Sequence, residues 1–234
     1  ISSLPWLGTC HSVCAKILRR HAESVGLNSR FTIIDQEDQL RLIKNICKAA
    51  NIDVKKVAPQ FILSFINKWK NKGLLPKNVV TKKGIPLERA ILNVYKFYQE
   101  RLKILNSCDF GDLILLCVTM FENNPDSLEL YLNNFKYILV DEYQDSNYIQ
   151  SKWLKLLAQK RNNICCVGDD DQSIYSWRGA EIRKFLDFSK AYKNTKIIKL
   201  EQNYRSTQNI LSAASGLIEK NTGRLGKKLW TDSK

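Results

Sequence analysis

The sequence predicts an α/β fold in which a long all-helical stretch precedes a partial parallel sheet. Two observations carry this. Between Cys10 and about Asn134, apolar residues recur at three- and four-residue spacing, as at Val13, Ile17, Leu18 and His21 and at Leu40, Ile43, Ile46 and Cys47, the period of amphipathic helices. From Lys136 onward, short continuous apolar runs alternate with helical stretches, the pattern of βα winding.

The helical stretch is punctuated at Gly26-Leu-Asn-Ser, Gly73-Leu-Leu-Pro76, Gly84-Ile-Pro86 and Asn123-Asn-Pro125. Each combines residues that stop one helix and start the next. Tyr137-Ile-Leu-Val140 then reads as a strand buried on both faces, ending in Asp141-Glu142. A helix over about Tyr148 to Gln159, a second strand at Ile164-Cys-Cys-Val167, a helix near Arg178 to Phe188 and a third strand at Ile197-Ile-Lys-Leu200 follow. The closing stretch from Glu201 reads as a loop and a helix. Three strands leave sheet edges and helices poorly covered, so the remaining strands are expected upstream of Ile1, with the helical region as an insertion.

The 234 residues suffice for one large domain or two modest ones, and 44% apolar content excludes disorder throughout. Lys plus Arg number 37 against 23 Asp plus Glu, a net charge of +14, so a polyanion is the first partner to consider. The longest apolar run, Leu113 to Phe121, has about half the residues needed to cross a bilayer. No membrane partner is expected. The start, Ile1-Ser-Ser-Leu-Pro-Trp, has neither an initiator Met nor the basic region of a signal peptide, and reads as lying inside a longer protein. Seven cysteines include no C-x-x-C pair, and His11 and His21 are the only histidines. Free thiols in a reducing cytoplasm are therefore expected, and metal-thiolate chemistry is set aside.

Chemistry concentrates at strand ends. In Ile138-Leu-Val-Asp-Glu-Tyr-Gln-Asp145, adjacent carboxylates at the end of a strand can place one on Mg²⁺ and the other against water, although solvated acids also end strands. Val167-Gly-Asp-Asp-Asp-Gln-Ser-Ile-Tyr-Ser-Trp-Arg-Gly-Ala180 follows one strand and helix later. The Gln172 amide can bond both water and a phosphate oxygen. Tyr175, Trp177 and Arg178 offer flat surfaces to unpaired bases, and taken alone Trp177 also suits a core. In Leu200-Glu-Gln-Asn-Tyr-Arg-Ser206, Arg205 suits either an arginine finger or a surface ion pair, and Tyr204 either stacks on a purine or packs.

These three segments resemble motifs II, III and IV of superfamily 1A DNA helicases, the UvrD/PcrA/Rep family. Gly8-Thr-Cys-His11 resembles motif Ib, Asp109-Phe-Gly-Asp-Leu113 the segment after the inserted helices, and Gly223 to Asp232 the stretch beyond motif IV. The resemblance implies a RecA-like, parallel-sheet P-loop NTPase domain, 1A, interrupted by an all-helical insertion, 1B. Residues 1–8 would end the first 1A segment, 9–135 form 1B, 136–200 form the second 1A segment, and 201–234 carry motif IV and the start of 2A.

It further implies ATP and Mg²⁺, with Asp141 and Glu142 at the metal and Glu142 activating water. Gln172 would couple the γ-phosphate to the DNA site, Arg205 would contact that phosphate and Tyr204 would stack on adenine. Thr9 and His11 would touch single-stranded DNA, with Tyr175, Trp177 and Arg178 under its bases. The implied activity is 3′ to 5′ translocation and unwinding in DNA repair, on single strands and on junctions of single with double strands, alongside repair proteins in the bacterial cytoplasm and nucleoid.

Two departures stand out. Cys10 replaces the family's Phe in motif Ib. The phosphate loop G-x-x-x-x-G-K-[ST] needs two glycines five residues apart, and glycines 8, 26, 73, 84, 111, 168, 179, 216, 223 and 226 contain no such pair. The chain alone is therefore expected to hydrolyse ATP negligibly. The rival reading is a DNA-binding or protein-docking module that does not hydrolyse ATP. Between Phe65 and Lys103, Lys68, Lys70, Lys72, Lys77, Lys82, Lys83, Arg89, Lys96, Arg101 and Lys103 stand against Glu88 and Glu100. They either track phosphates or simply solvate helix faces, and Trp69 among them reads as core.

Overall fold

The computed structural model describes residues 6–54, 57–81 and 85–232. The chain folds as two compact units, Ile1–Lys136 with Asn147–Arg161, and Tyr137–Ser146 with Asn162–Lys234.

The first unit is built of helices whose starts are written in the sequence. Helix α1 (Cys10–Arg20) begins at Thr9, whose hydroxyl accepts the N–H of Ser12, and ends in Arg19 and Arg20, which complement the helix dipole. It buries Val13, Cys14, Ile17 and Leu18. A 3₁₀ turn, Ala22–Val25, closes on Gly26 at φ +75°, a left-handed conformation suited to glycine. Helix α2 (Gln36–Ala49) is capped by Asp35. Proline occupies the first turn of α3 (Pro59–Asn71), α4 (Pro86–Ile104) and α6 (Pro125–Asn134), where its missing N–H costs nothing. Reciprocal capping boxes start α5 (Phe110–Asn123) at Asp109/Asp112 and α7 (Tyr148–Ala158) at Asn147/Gln150.

One core of this unit joins Ile43, Ile46 and Cys47 of α2, Ile62, Leu63 and Ile66 of α3, and Ile91, Val94, Tyr95, Tyr98 and Leu102 of α4. Trp69 packs against it, stacked on Tyr95 at 5.8 Å between ring centroids, as expected for a core residue. Helix α5 packs against α1, α3, α6 and α7. The stretch is not purely helical, however. Strands β1 (Thr32–Ile33) and β2 (Ser107–Cys108) pair in parallel, and two-residue strands are too short to show a period in sequence.

In the second unit, β3 (Ile138–Val140) pairs in parallel with β4 (Ile164–Cys166), Leu139 opposite Cys165. Beyond β4 come 3₁₀ turns at Asp170–Gln172 and Ser176–Arg178, then α8 (Ile182–Leu186), α9 (Phe188–Ala191) and α10 (Gln208–Ile218). An aromatic cluster of Tyr143, Phe188 and Tyr192 anchors α9, with Phe188 and Tyr192 stacked at 4.5 Å.

Two expectations are corrected here. Strand β3 is not buried on both faces, since Leu139 is 80% exposed. The run Ile197–Leu200 forms no strand, and Ile197, Ile198 and Leu200 are exposed. Among the described residues no neighbouring strand supplies the ladder hydrogen bonds that an apolar run needs to become a strand, apart from an isolated bridge between Gln202 and Trp230.

Candidate functional site

The end of β3 carries the two acids. Asp141 and Glu142 are both exposed, and Asp141 Oδ1 accepts the N–H of Glu142 at 2.9 Å. Glu142 has φ +51°, a left-handed backbone that costs a non-glycine residue about 1–2 kcal/mol. Flanking bonds hold it there: Tyr143 N–H donates to Val167 O at 2.9 Å and Val167 N–H to Val140 O at 2.8 Å. Such strain concentrates where a side chain must be aimed. The pair presents hard carboxylate oxygens at a strand end, the donor type that Mg²⁺ takes.

The side chain of Glu142 is not loose. Gln144 Nε2 donates to Glu142 Oε2 at 2.6 Å, and Gln144 Oε1 accepts the N–H of Asp169 at 3.1 Å. Gln172 Nε2 donates in turn to Asp169 Oδ2 at 2.6 Å. The structure thus brings together the predicted Glu142 and Gln172 through two residues that the sequence did not single out, Gln144 and Asp169. Asp145 is half-buried beside them with Oδ1 unpartnered among the described residues. Burial, and then the charge of Glu142, push its carboxyl above the ordinary value.

The three consecutive acids of the second loop are held by a basic segment near the end of the chain. Arg224 clasps Asp171 with two bonds of 2.6 and 2.5 Å, Lys227 pairs with Asp169, and the N–H of Leu225 donates to Asp170 Oδ2 at 2.8 Å. Burial would raise the Asp169 carboxyl, but the bonds from Lys227 and Gln172 outweigh it and hold the group below its usual range. Opposite charge at these two places, Asp-Asp-Asp and Gly-Arg-Leu-Gly-Lys-Lys, was the available sequence signal. A cleft of about 390 Å³ bounded by Asp170, Asp171, Ile182 and Arg224 contains none of the predicted site residues.

The remaining predicted residues stand apart from this chain of bonds. Asn203 Oδ1 accepts the N–H groups of Arg205 and Ser206 at 2.9 and 2.7 Å, shaping the loop that exposes Tyr204 and Arg205. Tyr204 is 82% exposed and its hydroxyl donates to Gln202 Oε1 at 2.7 Å. Arg205 is exposed and has no ion pair among the described residues. Trp177 is 74% exposed, which corrects the reading of it as core. It lies tilted by 54° to Tyr175, with ring centroids 6.4 Å apart. The side chain of Arg178 lies outside what is described, as do Lys82 and Lys83.

In the first unit, Thr9 is exposed and serves as the cap of α1. His11 sits edge-on to Phe110 at 5.9 Å, and burial holds its imidazole below the ordinary value. Lys70 is not a phosphate-tracking residue: it is wholly buried, paired with Asp109 at 2.6 Å and Asp112 at 2.7 Å. Lys68, Lys72, Lys77, Arg89, Lys96, Arg101 and Lys103 are exposed.

Comparison with known proteins decides the family, because the profile described as UvrD/REP helicase N-terminal domain matches residues 2–193. The chain belongs to the UvrD/REP helicase family. It is 50% identical over 231 residues to DNA helicase II of Rickettsia typhi, which covers 97% of this chain and 35% of that protein. It is 46% identical over 227 residues to DNA helicase II of Escherichia coli K12 and 45% identical over 228 residues to ATP-dependent DNA helicase PcrA of Bacillus subtilis 168, in each case 97% of this chain and 31% of the relative. The chain therefore spans about a third of the length of the curated relatives it matches. Its mixed α/β structure, with small parallel sheets among helices, is consistent with a UvrD N-terminal domain, and among the described residues no helix is long and apolar enough to cross a membrane.

Proposed function

We propose that this chain is part of an ATP-dependent DNA helicase that moves 3′ to 5′ along single-stranded DNA, unwinds duplex at junctions and serves DNA repair in the bacterial cytoplasm. Residues 136–200 would belong to a RecA-like domain 1A, residues 9–135 to its helical insertion 1B, and residues 201–234 to motif IV and the start of 2A. The exposed faces of Leu139, Ile197 and Leu200 support a sheet completed by strands outside this sequence. Helix α7, which that layout assigns to 1A, packs with the helical unit.

The observation that carries the reading is the continuous set of bonds from Glu142 through Gln144 and Asp169 to Gln172, since a water-activating acid and a phosphate-sensing amide are of use only when coordinated. Asp141 and Glu142 would hold Mg²⁺, which neutralises phosphate charge when bound. Glu142 would accept the proton of the water that attacks the γ-phosphate, while Gln172 bonds a γ-phosphate oxygen. Arg205, exposed and without an ion pair among the described residues, would offset the charge that develops there. Tyr204 would stack on adenine. Tyr175, Trp177 and Arg178, and in the other unit Thr9 and His11, would contact the single strand.

The sequence holds no phosphate loop, so the chain alone should turn over ATP negligibly. The test is single-strand-stimulated ATP hydrolysis, run side by side on this chain and on the protein extended to its natural ends. Turnover only in the long form is expected, with Glu142→Gln in that form abolishing hydrolysis while sparing nucleotide binding. Turnover in neither form would leave a non-hydrolysing DNA-binding or docking module. Turnover in this chain alone would overturn the account of the phosphate site.

A further inference from the structure

We propose that Gln144 is a positioning residue that ties the carboxylate of Glu142 to the loop carrying Gln172, so that the state of the phosphate sensor sets the aim of the base. The proposal rests on the reading of Glu142 and Gln172 given above. Gln144 is 1% exposed, and a buried amide must satisfy both its donor and its acceptor end. Here the two ends go to different motifs. The donor end holds Glu142 Oε2 at 2.6 Å, and the acceptor end takes the Asp169 N–H at 3.1 Å.

The approach of the two segments depends on Gly168. A Cβ at that position would stand 2.6 Å from Gln144 Oε1 and 2.8 Å from Phe185 Cε2, so any larger residue would push the loop off the amide. On the loop, Asp169 uses Oδ2 for Gln172 Nε2 at 2.6 Å and also pairs with Lys227. Three hydrogen bonds therefore separate the base from the sensor. Movement of Gln172 toward a phosphate oxygen shifts its bond to Asp169, and the loop transmits that shift to Gln144 and on to Glu142. Asparagine at position 144 would be one methylene too short to reach both partners. Glutamate would lose the donor and set a second negative charge against Glu142.

The test uses the protein extended to its natural ends, with Gln144→Ala, Gln144→Glu and Glu142→Gln compared. The readouts are kcat and KM for ATP, single-strand affinity and the melting temperature. Gln144→Ala is expected to lower kcat by about 10- to 100-fold, as misaligned groups do, with KM and single-strand affinity unchanged within about twofold. Gln144→Glu, which keeps the size of the side chain but loses the donor, is expected to lower kcat at least as far with KM unchanged within about twofold. Wild-type kcat in both Gln144→Ala and Gln144→Glu, while Glu142→Gln is inactive, overturns the proposal alone. If Gln144→Ala does not melt cooperatively, the size-matched glutamate variant decides, and wild-type kcat in it overturns the proposal. Retained turnover in Glu142→Gln overturns the reading of Glu142 as base, and the positioning role with it.

Discussion

Lys70 places its ammonium where no solvent reaches, 2.6 Å from Asp109 and 2.7 Å from Asp112, with the hydroxyl of Tyr98 donating to Asp109 at 2.8 Å and the amide of Gln99 to Asp112 at 3.0 Å. Two carboxylates share one cation, and their environments separate them. Burial raises both, but Lys70 outweighs it at Asp109, which is held below its ordinary value. Asp112 is pushed up to about 6 by burial and by the charge of Asp109. The folded chain thus holds a proton on Asp112 at pH values where the unfolded chain has released it. The associated stability is present below about pH 4 and is lost as the pH rises through 6. Stability measured by urea unfolding should fall more from pH 4 to pH 7 in the wild type than in Asp112→Asn, since Asp145, His11 and His21 contribute alike to both, and the same slope in both would disprove the assignment. In sequence Lys70 stood within a basic run and nothing marked it as buried, because its acidic partners lie 39 and 42 positions away.

Elements whose signals are local were legible. The breaks ending in Pro86 and Pro125 mark the starts of α4 and α6, and the helix read from about Tyr148 is α7, since a cap or first-turn proline acts within three residues of the helix it starts. Elements that need a distant partner were not, as β1, β2 and the unpaired run at 197–200 demonstrate. The site divides in the same way: Asp141, Glu142 and Gln172 could be read from short motifs, whereas Gln144 and Asp169 acquire meaning only when two loops meet. Thr9 carries a further lesson at this scale, for a residue expected at DNA is also the cap of α1. Thr9→Ala should lower stability by about 1 kcal/mol and Thr9→Ser by much less. Thermal melts would separate this structural role from any loss of DNA affinity, and equal melting of both variants would mean that the cap contributes nothing.

Across the whole molecule the excess of 14 positive charges persists after the buried pairs are set aside, for seven of the lysines and arginines between Lys68 and Lys103 are exposed. A surface that meets single-stranded DNA through several phosphates releases counterions as it binds. Fluorescence anisotropy with a labelled oligonucleotide should give log K falling against log salt with a slope of about −2 to −4, the range for roughly three to five phosphates. A flat dependence would return these charges to simple solvation of helix faces.

The clasp between Asp169, Asp170, Asp171 and the segment Arg224–Lys227 bears on where this protein can be cut. The match to the UvrD/REP helicase N-terminal domain profile ends at residue 193, although the relatives align over 97% of the chain, and that border is a natural place to trim a shorter piece for expression. Trimming there removes Arg224, Leu225 and Lys227, and leaves three adjacent carboxylates repelling one another in the loop that also holds Gln172. A piece made to the border of that profile would keep Asp141, Glu142 and Gln172, lose Tyr204 and Arg205, and lose the splint that sets the loop of Gln172. The stretch that folds together is longer than the stretch that the domain profile covers.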